Sequence, residues 1–229
     1  MPKDWHFDAD VSDRKIKATL ELLAKSFVRT HRDYLKFYEE ENGRPGDIGW
    51  FQNERANVGF LAAAAWRIPG WVALQEFAMQ KLRKGRSSKG RADLYIGIPR
   101  ERTGYLELGI ESKLAFVRSA KNVRRHLNPK NKKSALGRAM ADAKNIKTPA
   151  DVPIATVFLC PRLTAHERLK ESLDVVADAF WTACKELKKH NLEWAAFTFA
   201  PKHASAIWLE GKAEVSYPAI GVVMVDARR

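Results

Sequence analysis

The sequence has few of the residues from which disulfide scaffolds and zinc sites are built. Only two of its 229 residues are cysteines, and Cys160 and Cys184 lie 24 positions apart without a Cys-x-x-Cys pair. The six histidines include no pair at i,i+4 spacing and no His-x-His cluster. A disulfide framework and a zinc site of the usual spacing are therefore excluded. We expect a reduced cytoplasmic protein in which both thiols are free and buried.

Long apolar stretches and several common motifs are missing as well. The longest apolar run, 58–66, is far shorter than the ~20 residues that span a bilayer, and residues 1–4 lead into polar residues, unlike a signal peptide. The chain has no Gly-x-x-x-x-Gly-Lys-Ser/Thr loop and no Gly-x-Ser-x-Gly elbow. We therefore expect no membrane partner, no ATP-driven activity of this chain alone and no serine nucleophile of that type.

The composition is that of a folded domain. Hydrophobic residues make up 45% of the chain, aromatic residues 10% and charged residues 29%, which is enough apolar material for a core. The length exceeds one typical domain but falls short of two. We expect a single domain over residues 47–229, preceded by an N-terminal helical arm over residues 1–46.

The positive charge is concentrated in less than a third of the chain. The formal net charge is +13, and residues 81–148 carry 19 Lys and Arg against five Asp and Glu. Clustered like charges cost stability unless a polyanion meets them, and nucleic acid is the commonest polyanion. The basic residues form two runs, 83–91 and 118–133, whose Gly, Ser, Asn and Pro residues favour loops over a membrane-binding amphipathic helix.

These two runs supply the residues that we expect to contact phosphates. They are Arg86, Lys89, Arg91, Lys121, Arg124, Arg125, Lys130, Lys132 and Lys133.

Hydrophobic periodicity predicts a mixed α/β domain. The predicted order is α-α-β-β-β-α-β-α-β-β-β, which indicates a central sheet flanked by helices. The predicted helices are 12–41, 50–67, 134–146 and one capped by Thr164 that runs to 189; the predicted strands are 71–79, 92–98, 105–116, 154–160, 192–199, 206–209 and 219–226. The continuous apolar run 154–160 is typical of a strand buried on both faces.

Acidic residues inside the basic segment fall on the central hairpin. Alternation along the strand places Glu107, Glu111 and Lys113 on one face, with Gly109 leaving room for a close approach to the backbone. If the hairpin folds about Arg102, Asp93 lies across from Glu111. Facing carboxylates repel unless a cation lies between them, and oxygen ligands of this kind suit Mg²⁺. This pattern predicts metal-assisted hydrolysis of a phosphodiester.

The same residues resemble a known active site. Asp93 followed on the next strand by Glu111-Ser112-Lys113 resembles that of the PD-(D/E)xK nucleases, the restriction-endonuclease-like superfamily. Glu54, on the preceding helix, looks like that family's helical glutamate, and the α-β-β-β-α-β order over residues 50–160 is similar. Five Asp/Glu-x-Lys triplets occur, but only this one lies in a predicted strand with an Asp on the strand before it. One departure is Ala92, where the family motif has proline.

The resemblance implies a restriction-endonuclease-like α/β fold and a divalent-metal-dependent endonuclease acting on duplex DNA. It implies Mg²⁺, with Mn²⁺ as a substitute, held by Asp93, Glu111, the backbone carbonyl of Ser112 and Glu54, while Lys113 activates water. Glu76 is the alternative to Glu54 as third carboxylate. Glu107 lies too far along its strand for direct contact with the metal ion. Cutting both strands commonly uses two copies of a chain, so a homodimer is one expectation.

Other interpretations stay open at this point. One interprets the acids as plain strand residues paired with Arg91 or Lys113. Others are a non-catalytic nucleic-acid-binding or assembly protein on the same fold, and a nuclease toxin directed at RNA. Sequence preference and biological pathway do not follow from the sequence, because base contacts depend on docking geometry.

Overall fold

A computed structural model describes residues 4–42, 49–83, 86–100, 104–148, 150–164, 169–201, 207–210 and 213–228. The helices are α1 (Arg14–Asn42), α2 (Glu54–Trp66), α3 (Ala120–His126), α4 (Ala135–Ala143) and α5 (Leu169–Leu187), with short 3-10 turns at Gly49–Phe51 and Lys188–His190. The strands are β1 (Trp5–Asp10), β2 (Val72–Arg83), β3 (Arg86–Pro99), β4 (Tyr105–Val117), β5 (Ile146–Thr148), β6 (Val152–Pro161), β7 (Leu163–Thr164), β8 (Trp194–Phe199), β9 (Ile207–Glu210), β10 (Ala213–Ser216) and β11 (Ile220–Asp226).

The strands form two sheets. The large sheet has eight strands in the order β1-β8-β11-β6-β4-β3-β2-β5, and the small one has the order β7-β10-β9. Within the described residues the β4–β6 pair is parallel and every other pair is antiparallel. The mixed α/β class predicted from the sequence is confirmed, with a mainly antiparallel central sheet.

Helices cover both faces of the large sheet. On one face α1 and α2 pack through residues such as Phe27 and Leu61. On the other, α3, α4 and α5 pack through residues such as Leu136 and Phe180. Alternate residues of β6 enter the two cores, Phe158 on the first face and its neighbour Val157 on the second. The prediction of a strand buried on both faces is therefore confirmed.

The N-terminal residues are part of this domain and not an arm. β1 forms an edge strand of the large sheet, with Trp5 paired to Phe199 in β8. Leu23 and Phe27 of α1 are fully buried in the main core. The apolar stripe of α1 needs a partner surface to exclude water, and α2 and the sheet supply it.

In the described residues the first basic run is not a loop, and the second is a loop only after α3. The expectation of loops was therefore wrong for the first run and for residues 120–126 of the second. The first lies mostly in the long β2–β3 hairpin, where Lys81 pairs with Ser88 and Ala78 with Arg91, and residues 84 and 85 fall outside the description. In the second, Ser119 caps α3 by accepting a hydrogen bond from the amide of Asn122. Strand pairing and a helix cap outweigh the weak local preference of Gly and Ser for loops.

One predicted helix start was misplaced, and another falls at residues outside the description. The second helix begins at Glu54 because the side chain of Asn53 accepts from the amide of Ala56 and caps it there. Thr164, the predicted cap of the last helix, lies in β7 and pairs with Val215 of β10. The described part of α5 begins at Leu169, and residues 165–168 fall outside the description.

Two further findings concern thiols and membranes. Cys160 and Cys184 are both free and buried, as expected from the sequence. Across the described residues, no helix has the length and apolar character needed to cross a bilayer.

Candidate active site

The candidate site lies where β3 and β4 separate. The register predicted from folding about position 102 is confirmed, since Leu94 pairs with Ile110 and Tyr95 with Gly109. The β3–β4 ladder ends at the Leu94–Ile110 pair, and from there β3 continues beside β2 while β4 continues beside β6. We call this opening in the sheet the strand fork.

Asp93 closes the strand fork with its side chain. One carboxylate oxygen, Oδ2, accepts from the backbone amide of Ser112 at 2.7 Å and from the Ser112 hydroxyl at 3.0 Å. These bonds tie β3 to β4 one position past the end of the ladder. Asp93 and the Glu111-Ser112-Lys113 triplet are therefore brought together, as the sequence predicted.

Glu111 is a buried acid held by a lysine from a third strand. It is 4% exposed, and its Oε1 accepts a hydrogen bond from Lys81 Nζ of β2 at 2.5 Å. Burial raises the pKa of Glu111 to about 7; Asp93 and Asp142 add to the rise, whereas Lys81 opposes it. Lys81 was not predicted as a site residue.

A glycine signals the path of the Lys81 side chain. A Cβ atom on Gly90 of β3 would lie 2.7 Å from Cδ and 2.8 Å from Cγ of Lys81. The lysine stem therefore crosses β3 over Gly90 on its way from β2 to the acid on β4. A glycine in the middle of a strand indicates such a close approach, but it does not identify the residue that approaches.

Lys113 links helices from opposite faces of the sheet. Its Nζ donates to the carbonyl of Ser112 at 2.7 Å and lies 3.2 Å from Oδ2 of Asp142 on α4. The same ammonium lies 3.9 Å from Oε1 of Glu54 on α2. Asp142 belongs to another of the five Asp/Glu-x-Lys triplets, and the sequence does not predict it as a site residue, because spacing within α4 gives no indication of what the helix faces.

Glu54 reaches the site from the first turn of α2. Its Oε2 accepts from the backbone amide of Leu114 at 3.0 Å. Burial raises the pKa of Glu54, an effect that Lys113 and the Leu114 amide oppose. Val58 and Leu61, on the same helix face, are buried in the core beneath it, so α2 holds the carboxylate toward β4 as expected.

Glu76, the alternative third carboxylate, lies on the open side of the site. It lines a cleft of about 490 Å³ together with Glu54, Asp93 and other side chains. Its carboxylate lies 3.8 Å from Arg55 and 3.7 Å from Arg91. Glu76 is thus near the other acids but bound to arginines, whereas Glu54 contacts β4 directly.

Two further residues of the predicted polar face serve other purposes. Glu107 accepts from the Tyr95 hydroxyl at 2.9 Å, away from the triplet. A Cβ on Gly109 would lie 2.9 Å from Cβ of Ala150 and 3.3 Å from Ile146. The close approach expected at Gly109 is therefore made by the protein's own side chains and not by a ligand.

The donor atoms of the site are all oxygens. Asp93, Glu111, Glu54 and the Ser112 carbonyl are the groups that could hold a divalent cation, and oxygen donors suit Mg²⁺. In the present arrangement ammonium groups of Lys81 and Lys113 contact several of these oxygens. Where the structure describes the chain, no three His, Cys, Asp or Glu side chains are grouped closely enough to hold a metal ion.

The predicted phosphate-binding residues with described side chains are all exposed. They lie on β3, on α3 and in the turns that follow α3: Lys89, Arg91, Lys121, Arg124, Arg125, Lys130, Lys132 and Lys133. The side chain of Arg86 falls outside the description. Exposure leaves these cations available to a polyanion, and their role in binding stays a prediction.

Comparison with known proteins adds no relative. No family model matches the chain, and no match is found among curated proteins or solved structures. The resemblance to the PD-(D/E)xK nucleases rests on the residues named above and on the order of the elements.

Proposed function

We propose that the protein is a divalent-metal-dependent nuclease of restriction-endonuclease-like fold that hydrolyses phosphodiester bonds of DNA. The observation that supports this most is the meeting of Asp93 with Glu111-Ser112-Lys113 at the strand fork. The order α2-β2-β3-β4-α4-β6, with α3 and β5 as additions, agrees with the α-β-β-β-α-β order of that superfamily.

The charge of the site fits one divalent cation. The contacts at the strand fork link four acids, Glu54, Asp93, Glu111 and Asp142, with two ammonium groups, those of Lys81 and Lys113. Fully ionised, these six groups carry a formal charge of −2. Burial is the main cause of the raised pKa of Glu111, and Asp93 and Asp142 add to it, so the ionised carboxylate is unfavourable there without a further cation. Mg²⁺, or Mn²⁺ in its place, is the cofactor that suits these oxygens.

Each residue has a distinct part in the proposed reaction. Asp93, Glu111 and the Ser112 carbonyl would hold the cation, and Glu54 would complete the site from α2. When bound, such an ion lowers the pKa of a water and neutralises charge that develops on the phosphate. Lys113 would orient the attacking water or contact the phosphate, and its ammonium is kept in place by Asp142 at 3.2 Å.

The substrate that we propose is duplex DNA. The exposed cations on β3 and α3 would neutralise backbone phosphates, which makes binding strongly dependent on salt. Cleavage of both strands would use two copies of the chain. Base-specific recognition is not part of the proposal, because phosphate contacts position a protein on DNA without reading its sequence.

Plasmid nicking tests the proposed function. Wild type is incubated with supercoiled plasmid in Mg²⁺, in Mn²⁺ and in EDTA, beside Lys113→Ala and the matched control Lys25→Ala, whose lysine pairs with Glu21 on α1. We expect nicking that needs a divalent ion, is lost in Lys113→Ala and is unchanged in Lys25→Ala. Nicking by Lys113→Ala at the wild-type rate, or equal nicking in EDTA, would contradict the proposal.

Two further assays separate the alternatives. Salt-dependent binding of duplex DNA with no cleavage under any metal would favour a nucleic-acid-binding or assembly protein. Labelled RNA, single-stranded DNA and duplex DNA, offered in parallel with Mg²⁺, identify the preferred substrate. Preferential cleavage of RNA would favour the RNA-directed nuclease.

A further inference from the structure

Two exposed arginines lie beside the carboxylates of the strand fork. Arg55 follows Glu54 at the start of α2, and Arg91 precedes Asp93 by two residues on β3. Their side chains are 89% and 71% exposed, and both line the cleft of about 490 Å³. A residue two positions along a strand lies on the same face at about 6.6 Å, so Arg91 is an immediate neighbour of Asp93.

Glu76 lies between these two arginines and contacts both weakly. Its carboxylate is 3.8 Å from a guanidinium nitrogen of Arg55 and 3.7 Å from one of Arg91. Ion pairs this long and this exposed contribute little to stability. An incoming phosphate can therefore replace Glu76 as the partner of both arginines at small cost.

The backbone of Glu76 is strained at this position. Its φ of +50° is in the left-handed region, which residues other than glycine rarely adopt. The β2–β3 ladder runs to the Gln75–Leu94 pair, resumes at Phe77–Ala92 and skips Glu76 and Asp93 between them. Like charges directly opposite in a ladder are destabilising. The register is the same on both sides of this gap, so the left-handed residue interrupts the pairing of Glu76 with Asp93 without shifting the strands. The carboxylate of Glu76 lies among the arginines.

We propose that Arg55 and Arg91 form a phosphate subsite for a nucleic-acid strand, and that Glu76 occupies both arginines until the strand displaces it. The subsite would bind a phosphate adjacent to the one attacked, so it rests on the proposed nuclease function. Guanidinium groups suit this role because their planar forks bind phosphate oxygens in pairs. A polymer is the favoured source of the phosphate because exposed Lys89 lies on the same strand, two residues before Arg91.

Binding in EDTA tests the subsite without any cleavage. Anisotropy of a fluorescein-labelled duplex oligonucleotide is measured against salt concentration for Arg55→Ala, Arg91→Ala and the double variant. The matched controls are Arg67→Ala at the other end of α2 and Arg100→Ala at the other end of β3, whose arginines pair with Asp33 and Asp151. Circular dichroism and melting temperature establish that each variant is folded.

We expect each subsite variant to bind the duplex about 3- to 10-fold more weakly than wild type. The double variant loses one phosphate contact and should lower the slope of log affinity against log salt by roughly 0.9. The controls should bind as wild type does. Subsite variants that behave like the controls would overturn the proposal. Competition by inorganic phosphate as strong as that by unlabelled oligonucleotide would overturn the assignment to a nucleic-acid strand.

Glu76→Gln tests the displacement directly. It keeps the shape of the side chain and removes the charge that competes with phosphate, so the duplex should bind about two- to fivefold more tightly, a gain in the range of exposed ion pairs. If Glu76→Gln binds the duplex more weakly than wild type does, the proposal that the strand displaces Glu76 is overturned. Glu76→Gly provides a second variant: it relaxes the left-handed backbone, should not lower the melting temperature, and should also tighten binding.

Failure of the subsite and failure of the proposed function give different results. If wild type does not cleave DNA but its binding depends on Arg55 and Arg91, the nuclease proposal fails and the subsite stands. If wild type cleaves with Mg²⁺ and both variants retain its KM and its affinity, the subsite fails and the nuclease stands. If both hold, the arginine variants should raise KM more than they lower kcat.

Discussion

The two halves of the large sheet are built on different principles. In the half made of β8, β11 and β6, the ladders run without interruption from Ile220–Phe199 to Val225–Trp194 and from Gly221–Leu159 to Asp226–Ile154. In the half made of β4, β3 and β2, the ladders stop or skip a pair, and a buried acid and a strained residue lie at the interruptions.

The stability of the protein is concentrated in the regular half of the sheet and the candidate chemistry in the irregular half. The regular half buries β6 and β11 on both faces and makes large apolar contacts with helices. The irregular half brings charged groups together at a cost in stability that the regular half offsets. Strained and buried polar groups of this kind concentrate at functional sites.

The largest expected effect is on activity in the irregular half. Glu111→Gln keeps the shape of the side chain but removes a carboxylate from the proposed metal site, so cleavage of plasmid should fall by at least about 10³-fold, or roughly 4 kcal/mol. The pKa of Glu111 is raised in the folded protein, so an ionised Glu111 lowers the stability of the fold at any pH above the ordinary pKa of the acid. Removing its charge should therefore leave the melting temperature in EDTA at pH 8 equal or raise it. A large loss of melting temperature would instead identify Glu111 as a structural partner of Lys81.

The next effect is on stability in the regular half. Phe158 of β6 is fully buried beside Phe27 and other core side chains. Phe158→Ala leaves a cavity and should lower the free energy of unfolding by about 3–5 kcal/mol. Urea unfolding followed by circular dichroism measures the change, with Phe116→Ala, an exposed residue of β4, as the control. If Phe158→Ala lowers the free energy of unfolding by less than Phe116→Ala does, the division of roles between the two halves of the sheet is contradicted.

A smaller effect concerns the pH dependence of the core. His31 of α1 is fully buried, stacks on Phe60 with 3.9 Å between ring centroids, and neither ring nitrogen has a hydrogen-bond partner among the described residues. Burial lowers the pKa of His31 from 6.5 to about 3. The unfolded chain therefore takes up a proton below pH 6.5 that the folded chain does not. The stabilising contribution of neutral His31 to the free energy of unfolding is complete above pH 6.5. It is lost as the pH falls from 6.5 toward 3, by up to about 1.4 kcal/mol per pH unit.

Urea unfolding between pH 7 and pH 4 measures this slope. His31→Phe should make stability less dependent on pH over that range, because it removes the group that charges on unfolding. His6→Phe serves as the control, since His6 is exposed and lies against Trp181 at the edge of the fold. Equal slopes for wild type and His31→Phe would show that other groups cause the acid sensitivity.

The smallest expected effect compares two glycines. Gly90→Ala forces a Cβ against the stem of Lys81 and should destabilise the protein by about 1 kcal/mol, because the lysine must move from Glu111. Gly59→Ala, inside α2, meets only Gln75 at 3.7 Å and should stabilise by about 0.5–1 kcal/mol. Thermal unfolding measures both. Stabilisation by Gly90→Ala would contradict the path of Lys81 over β3.

Many of the helices and strands, and the residues at the centre of the site, could be predicted from sequence pattern alone. Apolar periodicity identified α1 and β6, and alternation together with hairpin register placed Asp93 beside Glu111. These features are local, because side-chain period and turn position decide them within a few tens of residues. The left-handed residue Glu76 had no such signal, since neither glycine nor asparagine marks the position.

The distant groups that complete the site are brought there by tertiary contacts that sequence pattern does not predict. Lys81 reaches Glu111 across an intervening strand, and Asp142 reaches Lys113 from a helix on the opposite face of the sheet from α2. In the same way β1 finds its place only by pairing with β8, nearly the whole chain away. Short or polar elements carry little pattern of their own, and the energy that fixes them comes from contacts that exist only once the chain has folded.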